Sequence, residues 1–238
     1  MACLKKIRIF TEQDIYQNVN VNLVDRNINY LKNVMRCKIG DYIRLFNGRD
    51  GEWLCQIMEL ESKAYVIPRE IYLSQNSQKN NDIWIVFSLI KSSRSKFLIE
   101  KATELGVSKI IAVKAARSNL KSINLPKAKL AAIESAEQCG RITIPQLKYY
   151  QSFGALFQKW PRGRPFIWGD KNLNDTDAKI FLDVGGLIIG PEGGFVEEEV
   201  KLFLSFSNSN PFSLGQLTLR SETAAVVMLS IWKSINKL

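Results

Sequence analysis

The chain has 238 residues, is 46% hydrophobic and carries a formal net charge of +10 without a single histidine. That composition supports a sizeable core and excludes wholesale disorder. The missing histidine excludes every Ser-His-Asp or Cys-His mechanism and the commonest metal ligand.

The start, "MACLKKIRIF", has no long apolar stretch, so no signal peptide is expected, and no apolar window is long enough to span a membrane. Cys3, Cys37, Cys55 and Cys139 are scattered and form no C-x-x-C pair. Neither a metal site nor a disulfide framework is expected, and a reducing cytoplasm is the simplest compartment.

"KKIRIF" reads as a first strand. In "VDRNINYLKNVMR" Ile28, Leu31 and Met35 fall on one helical face. "DYIRLFNGRDGEW" reads as strand, Asn-Gly/Asp-Gly turn and strand, and "KAYVIPREIYL" continues in β style. Short strands so close together predict a small antiparallel barrel or sheet over residues 1–74. The polar stretch "SQNSQKNN", residues 74–81, reads as a linker.

From Asp82 the pattern changes. "DIWIVFSLI" is the continuous apolar run of a strand buried on both faces. "SKFLIEKATELG" reads as a helix with Leu98, Ala102 and Leu105 on one face, ended by Gly106. "KIIAVKA" is the next strand. "LPKAKLAAIESAEQCG" is a helix with Pro126 early and Gly140 past its end. "RPFIW", "GGLIIG", a helix from about Val196, and "LTLRS" leading into a last helix complete an α/β domain over 82–238 with a mainly parallel sheet.

Charge is unevenly distributed. Residues 91–148 hold twelve basic and four acidic residues, whereas residues 1–74 are nearly balanced. Such a concentration suits a polyanion such as nucleic acid; the alternative is a solvated basic face with no partner.

Two stretches carry the chemistry. "LIIGPEGGF", residues 187–195, is a glycine-rich loop between a buried strand and a helix, a common cofactor site. It is neither G-x-G-x-x-G nor a Walker loop, and Glu192 inside it would repel a triphosphate. The loop therefore suits a ligand that is not strongly anionic, or is simply a tight turn. In "FSLGQLTLRSETAAVVMLSIW", Gly215 lies in a strand-like context and Arg220 at a strand-to-helix junction, where α/β active sites gather. Ser221 is expected to cap the last helix, with Glu222 in its first turn. The apolar residues Val226, Val227, Met228, Leu229, Ile231 and Trp232 surround most of that helix, as burial on several sides requires.

"IGPEGGF" followed by "LGQLTLRSETAA" resembles the SPOUT methyltransferases, and closely the RsmE family, which methylates N3 of one uridine in bacterial 16S ribosomal RNA. "SLIKSSRSKFLIEKATELGV", "ARS" and "ESAEQCGRITIP" resemble the family's next segments, and "YLKNVMRCKIGDYIRLFNGRDGEW" its N-terminal PUA-like barrel. The resemblance covers most of the chain in the family's order. The chain departs from the family at Tyr30 (usually His), at Val196 (usually a Ser helix cap) and at Leu217 (usually Arg).

The resemblance implies a PUA-like barrel followed by an α/β domain with a C-terminal trefoil knot, a homodimer, and S-adenosylmethionine (SAM) as cofactor. It places SAM among Trp168, Ile189, Gly190, Pro191, Gly193, Gly194, Leu214, Gly215, Leu217 and Leu219, with the glycines admitting it closely. The basic excess over residues 91–148 leads to the expectation of RNA contacts from Lys91, Arg94, Lys96, Arg117 and Arg141. Arg220 is the first candidate to stabilise charge on the uracil oxygens, Arg117 or Arg141 could share that work, and Glu222 or water could take the N3 proton. Two alternatives stay open: a SPOUT enzyme for another RNA position, such as a ribose 2′-oxygen, and an RNA-binding or ribosome-assembly protein without activity.

Overall fold

In the computed structural model all residues are described except 1–3, 62, 79–80, 119, 171–172, 174–175 and 238, so Cys3 lies outside the described residues. Contacts divide the chain into two units: Met1–Lys79 with Ala136–Ile144, and Asn80–Ser135 with Pro145–Leu238. The return of residues 136–144 to the first unit is invisible in the two consecutive segments that the sequence predicts.

The first unit holds β1 (Leu4–Phe10), β2 (Val21–Asn22), α1 (Asp25–Asn29), β3 (Tyr42–Phe46), β4 (Glu52–Glu59) and β5 (Tyr65–Leu73) in one sheet of order β1-β3-β4-β5-β2. Strands β3, β4, β5 and β2 pair antiparallel, but β1 runs parallel to β3, which corrects the all-antiparallel expectation. The expected helix over 24–36 forms as α1 followed by a π-helical turn at Tyr30–Val34. Period-two alternation puts Ile43 and Leu45 into a core with Ile7, Ile9, Leu31, Ile57 and Val66.

Beside this core is a buried charge cluster. Arg8 Nε donates to Glu52 Oε1 at 2.9 Å, and Arg44 Nη1 lies 3.3 Å from the same oxygen. Arg8 also donates to the carbonyls of Ala136, Glu137 and Arg141, where a helix ends within the same unit. A cation at a helix C-terminus meets both unpaired carbonyls and the negative end of the dipole. The expected linker is partly tied down here: the Gln78 amide donates to the Gly140 carbonyl and accepts from the Ile142 N–H.

The second unit alternates β6 (Trp84–Ser88), α2 (Ser92–Glu104), β7 (Lys109–Val113), α3 (Leu125–Cys139), β8 (Gln146–Tyr150), α4 (Phe153–Phe157), β9 (Phe166–Gly169), β10 (Gly186–Ile189), α5 (Glu197–Leu204), β11 (Ser209–Phe212) and α6 (Ser221–Ile235). All six strands are parallel, in the order β11-β9-β10-β6-β7-β8. The central apolar runs, Ile85–Phe87 and Leu187–Ile188, are fully buried, as strands covered on both faces must be. The two edge strands gave weak signals: β8 carries Gln146 and Lys148, and β11 carries Pro211, which only an edge tolerates. "LTLRS", expected to be a strand, is irregular; the strand ends at Phe212. No helix among the described residues is long and apolar enough to cross a membrane.

Candidate active site

The C-terminal ends of β9, β10 and β11 lie side by side because these strands are neighbours. Their loops meet there, the usual position of a ligand site in an open parallel sheet. Between them is a cavity of about 210 Å³, and all ten residues expected to hold the cofactor, from Trp168 to Leu219, line it. Thr218, Ser221, Ala224 and Met228 add the start of α6, and Asp170 follows β9. The sequence reading missed Asp170, although the end of a parallel strand is the place to look.

The glycines have identifiable causes within the chain. Gly194 (φ +71°) and Gly215 (φ +95°) occupy left-handed backbone that disfavours a Cβ, and both would find open space around one. At Gly190 a Cβ would sit 3.0 Å from the Phe195 ring, and at Gly193 3.3 Å from Arg117 Cδ. Phe195 anchors the loop by edge-on contacts with Phe203 (4.9 Å between centroids), Phe153 (5.6 Å) and Trp168 (6.0 Å).

Side chains from distant segments fix both loops. Ser221 Oγ donates to the Gly190 carbonyl at 2.9 Å. This corrects the expectation that Ser221 caps α6: Arg220 occupies the N-cap position, and its side chain makes no cap hydrogen bond. The Arg117 guanidinium donates to the Gly193 carbonyl. At α5, Val196 offers no capping oxygen, and Glu199 takes over: its carboxylate accepts from the Val196 N–H (3.0 Å) and from the Ala116 N–H (2.8 Å).

The charged candidates separate. Arg94 pairs with Glu192 in the glycine-rich loop, and its Nε lies 3.7 Å from Glu222 Oε1, so two carboxylates already engage it. Glu222 is 9% exposed, and its Oε2 is buried without a hydrogen-bond partner among the described residues. Neither Glu222 nor Arg220 lines the cavity. Arg220 is exposed beside the lining residues Leu219 and Ser221 and makes no ion pair among the described residues. Lys91 and Lys96 are exposed, Lys96 lying 3.6 Å from Glu100. Arg141 belongs to the first unit, where burial pushes its guanidinium down to about 10, still protonated at neutral pH. Leu217 is 81% exposed at the cavity rim.

The chain is similar to known proteins along most of its length. The ribosomal RNA small subunit methyltransferase E of Rickettsia conorii is 28% identical over 234 residues, covering 95% of each chain. The Bacillus subtilis protein of the same name is 27% identical and covers 92% of each. A Legionella pneumophila methyltransferase solved with the cofactor SAM bound superposes with a TM-score of 0.84 at 26% identity, over 97% of this chain and 98% of that one. A PUA domain of RNA methyltransferases matches residues 23–67. The RNA methyltransferase domain family matches residues 77–233, well over half of the chain, and to that family the chain belongs.

Proposed function

We propose that the protein transfers a methyl group from SAM to N3 of one uridine in 16S ribosomal RNA. The cavity at the ends of β9, β10 and β11, lined by both glycine loops, carries this reading. It fits SAM in chemical character: apolar walls from Trp168, Ile189 and Leu219, exposed backbone at the loops, and the Asp170 carboxylate on the wall beside a cationic ligand.

Bound SAM supplies an electrophilic methyl group, so the protein's task is chiefly positioning. Uracil N3 carries a proton between two carbonyls, and losing it places negative charge on the flanking oxygens. Arg220, exposed beside the cavity and without an ion pair among the described residues, is the group that meets that charge. Glu222 is buried against Arg94 and holds it, and through it the Glu192 loop; buried away from solvent, it is a positioning residue, and water takes the proton. N3 lies on the pairing edge, so the target base is unpaired or flipped out. Exposed Lys91 and Lys96 serve phosphate contacts, and Arg117 steadies the loop at Gly193.

The homodimer belongs to the same proposal. On α6, Met228, Leu229 and Trp232 are buried within the chain, but Val226, Val227 and Ile231 stay half-exposed, an apolar strip that a second copy would cover. The trefoil knot and a cytoplasmic location are further parts of this reading; α6 follows edge strand β11 yet packs back on α2, β6 and β10.

Incubating the protein with labelled SAM and 16S ribosomal RNA, then mapping the product by mass spectrometry, tests the proposal. Label on uridine N3 is the expected result. Label on a ribose oxygen would reassign the reaction, and no label would leave a binding protein.

A further inference from the structure

A second cationic feature lies against strands β6, β7 and β8. Trp84 and Lys109 open β6 and β7 and are register partners; Lys148 on β8 is the partner of Ile111, and Tyr150 of Val113. Register partners in parallel strands show their side chains to the same face. Trp84, Lys109, Ile111, Lys148 and Tyr150 therefore line one recess, closed by Leu156 of α4 and by Lys159 beyond it. The recess lies along β6, β7 and β8 and shares no lining residue with the cofactor cavity at the ends of β9, β10 and β11.

Two of the cations here are held in place, and positive charge is in excess. Lys109 Nζ sits 3.4 Å from the centroid of the Trp84 ring, and Arg164 Cζ sits 4.0 Å from it. Both cations are thereby fixed by the indole, which has no need of a stacked base. Asp82, the carboxylate beside them, is taken by Arg164 at 2.8 Å. Among the described residues no carboxylate pairs with Lys109, Lys148 or Lys159. Burial, then Lys148, then Arg164 hold the Lys109 ammonium below the usual lysine range. A merely solvated basic face would spread its lysines into water. Here Lys109 and Lys148 are half-buried beside Ile111 and Leu156, with exposed Lys159 flanking them, which concentrates positive potential in one place.

We infer that this recess is a phosphate-binding site that grips the sugar–phosphate backbone of the RNA substrate, remote from the methylated base. Lysines suit that role, being compact point charges that hold phosphate without reading sequence. The inference rests on RNA being the substrate, as proposed above.

The test is the salt dependence of binding to 16S ribosomal RNA for wild type and for Lys148→Gln/Lys159→Gln. Lys109 stays intact because it packs on Trp84. Each phosphate contact contributes about 0.7–0.9 to the log–log slope, so losing two flattens it by about 1.4–1.8. Low-salt affinity should fall, while calorimetric SAM affinity stays at the wild-type value. The charge-keeping Lys148→Arg/Lys159→Arg variant should restore the slope, which separates lost phosphate contacts from damaged folding. An unchanged slope and affinity in the Gln variant, with wild type still methylating RNA, overturns this site alone. Wild type that neither binds nor methylates RNA overturns the functional reading and the site together.

Discussion

Ser221 reaches across 31 residues of sequence to donate its hydroxyl to the Gly190 carbonyl at 2.9 Å, tying the first turn of α6 to the glycine-rich loop. Ser221 is 3% exposed, so removing the hydroxyl leaves that carbonyl short of a partner where water has little access. A lost hydrogen bond of this kind costs about 1 kcal/mol, roughly five-fold in an equilibrium constant. Ser221→Ala is therefore expected to weaken SAM binding about five-fold with a small loss of melting temperature. Calorimetric affinity equal to wild type would show that the tie does not shape the cavity.

Gly193 and Gly194 are adjacent but should respond differently. At Gly194 the backbone is left-handed, and an L side chain there costs about 1–2 kcal/mol. At Gly193 the near neighbour is Arg117 Cδ, the flexible part of a long side chain that can shift. Gly194→Ala should thus reduce SAM affinity more than Gly193→Ala. The reverse order in paired titrations would place the crowding at Gly193 instead.

Arg220→Ala tests the charge-stabilising role. With saturating SAM and RNA, the single-turnover rate should fall by roughly a hundred- to a thousand-fold while SAM affinity holds. A near-normal rate constant would remove Arg220 from catalysis, and a loss confined to RNA affinity would make it a phosphate anchor.

Glu52→Ala strands two arginines. Arg8 and Glu52 are 8% and 2% exposed, and Arg44 shares the carboxylate. Removing one partner of a buried ion pair costs about 3–5 kcal/mol, because the remaining charge stays buried. Denaturant unfolding followed through the fluorescence of Trp53 in the first unit should show a loss of that size; a loss below 1 kcal/mol would mean that the arginines find water.

Asp82 predicts an acid response. Hydrogen bonds from Arg164 hold its carboxyl below the ordinary 3.8, with Trp84 and Ser108 assisting. A depressed carboxyl stabilises the fold above its unfolded value and loses that contribution as pH falls through the lower folded value. Wild type should therefore lose stability relative to Asp82→Asn below about pH 4. Parallel melting curves for the two proteins down to pH 2.5 would contradict this.

What the sequence determined is local or periodic. Ile85–Phe87 and Leu187–Ile188 read as buried strands because every residue in them is apolar, and alternation exposed the meander around Ile43 and Leu45. The two glycine loops could be singled out because glycine in a βα connection is unusual enough to need a cause, and all ten residues assigned to them and to Trp168 line one cavity. Tertiary structure decided whatever depends on partners far apart in the chain. The parallel β1–β3 pairing, the return of residues 136–144 to the first unit, the capture of Arg94 by Glu192 and Glu222, and the recruitment of Ser221 by Gly190 leave no local mark. A serine before a helix looks like a cap, and an arginine in a basic stretch looks free. Only the folded chain shows which hydroxyl and which guanidinium another segment has already claimed.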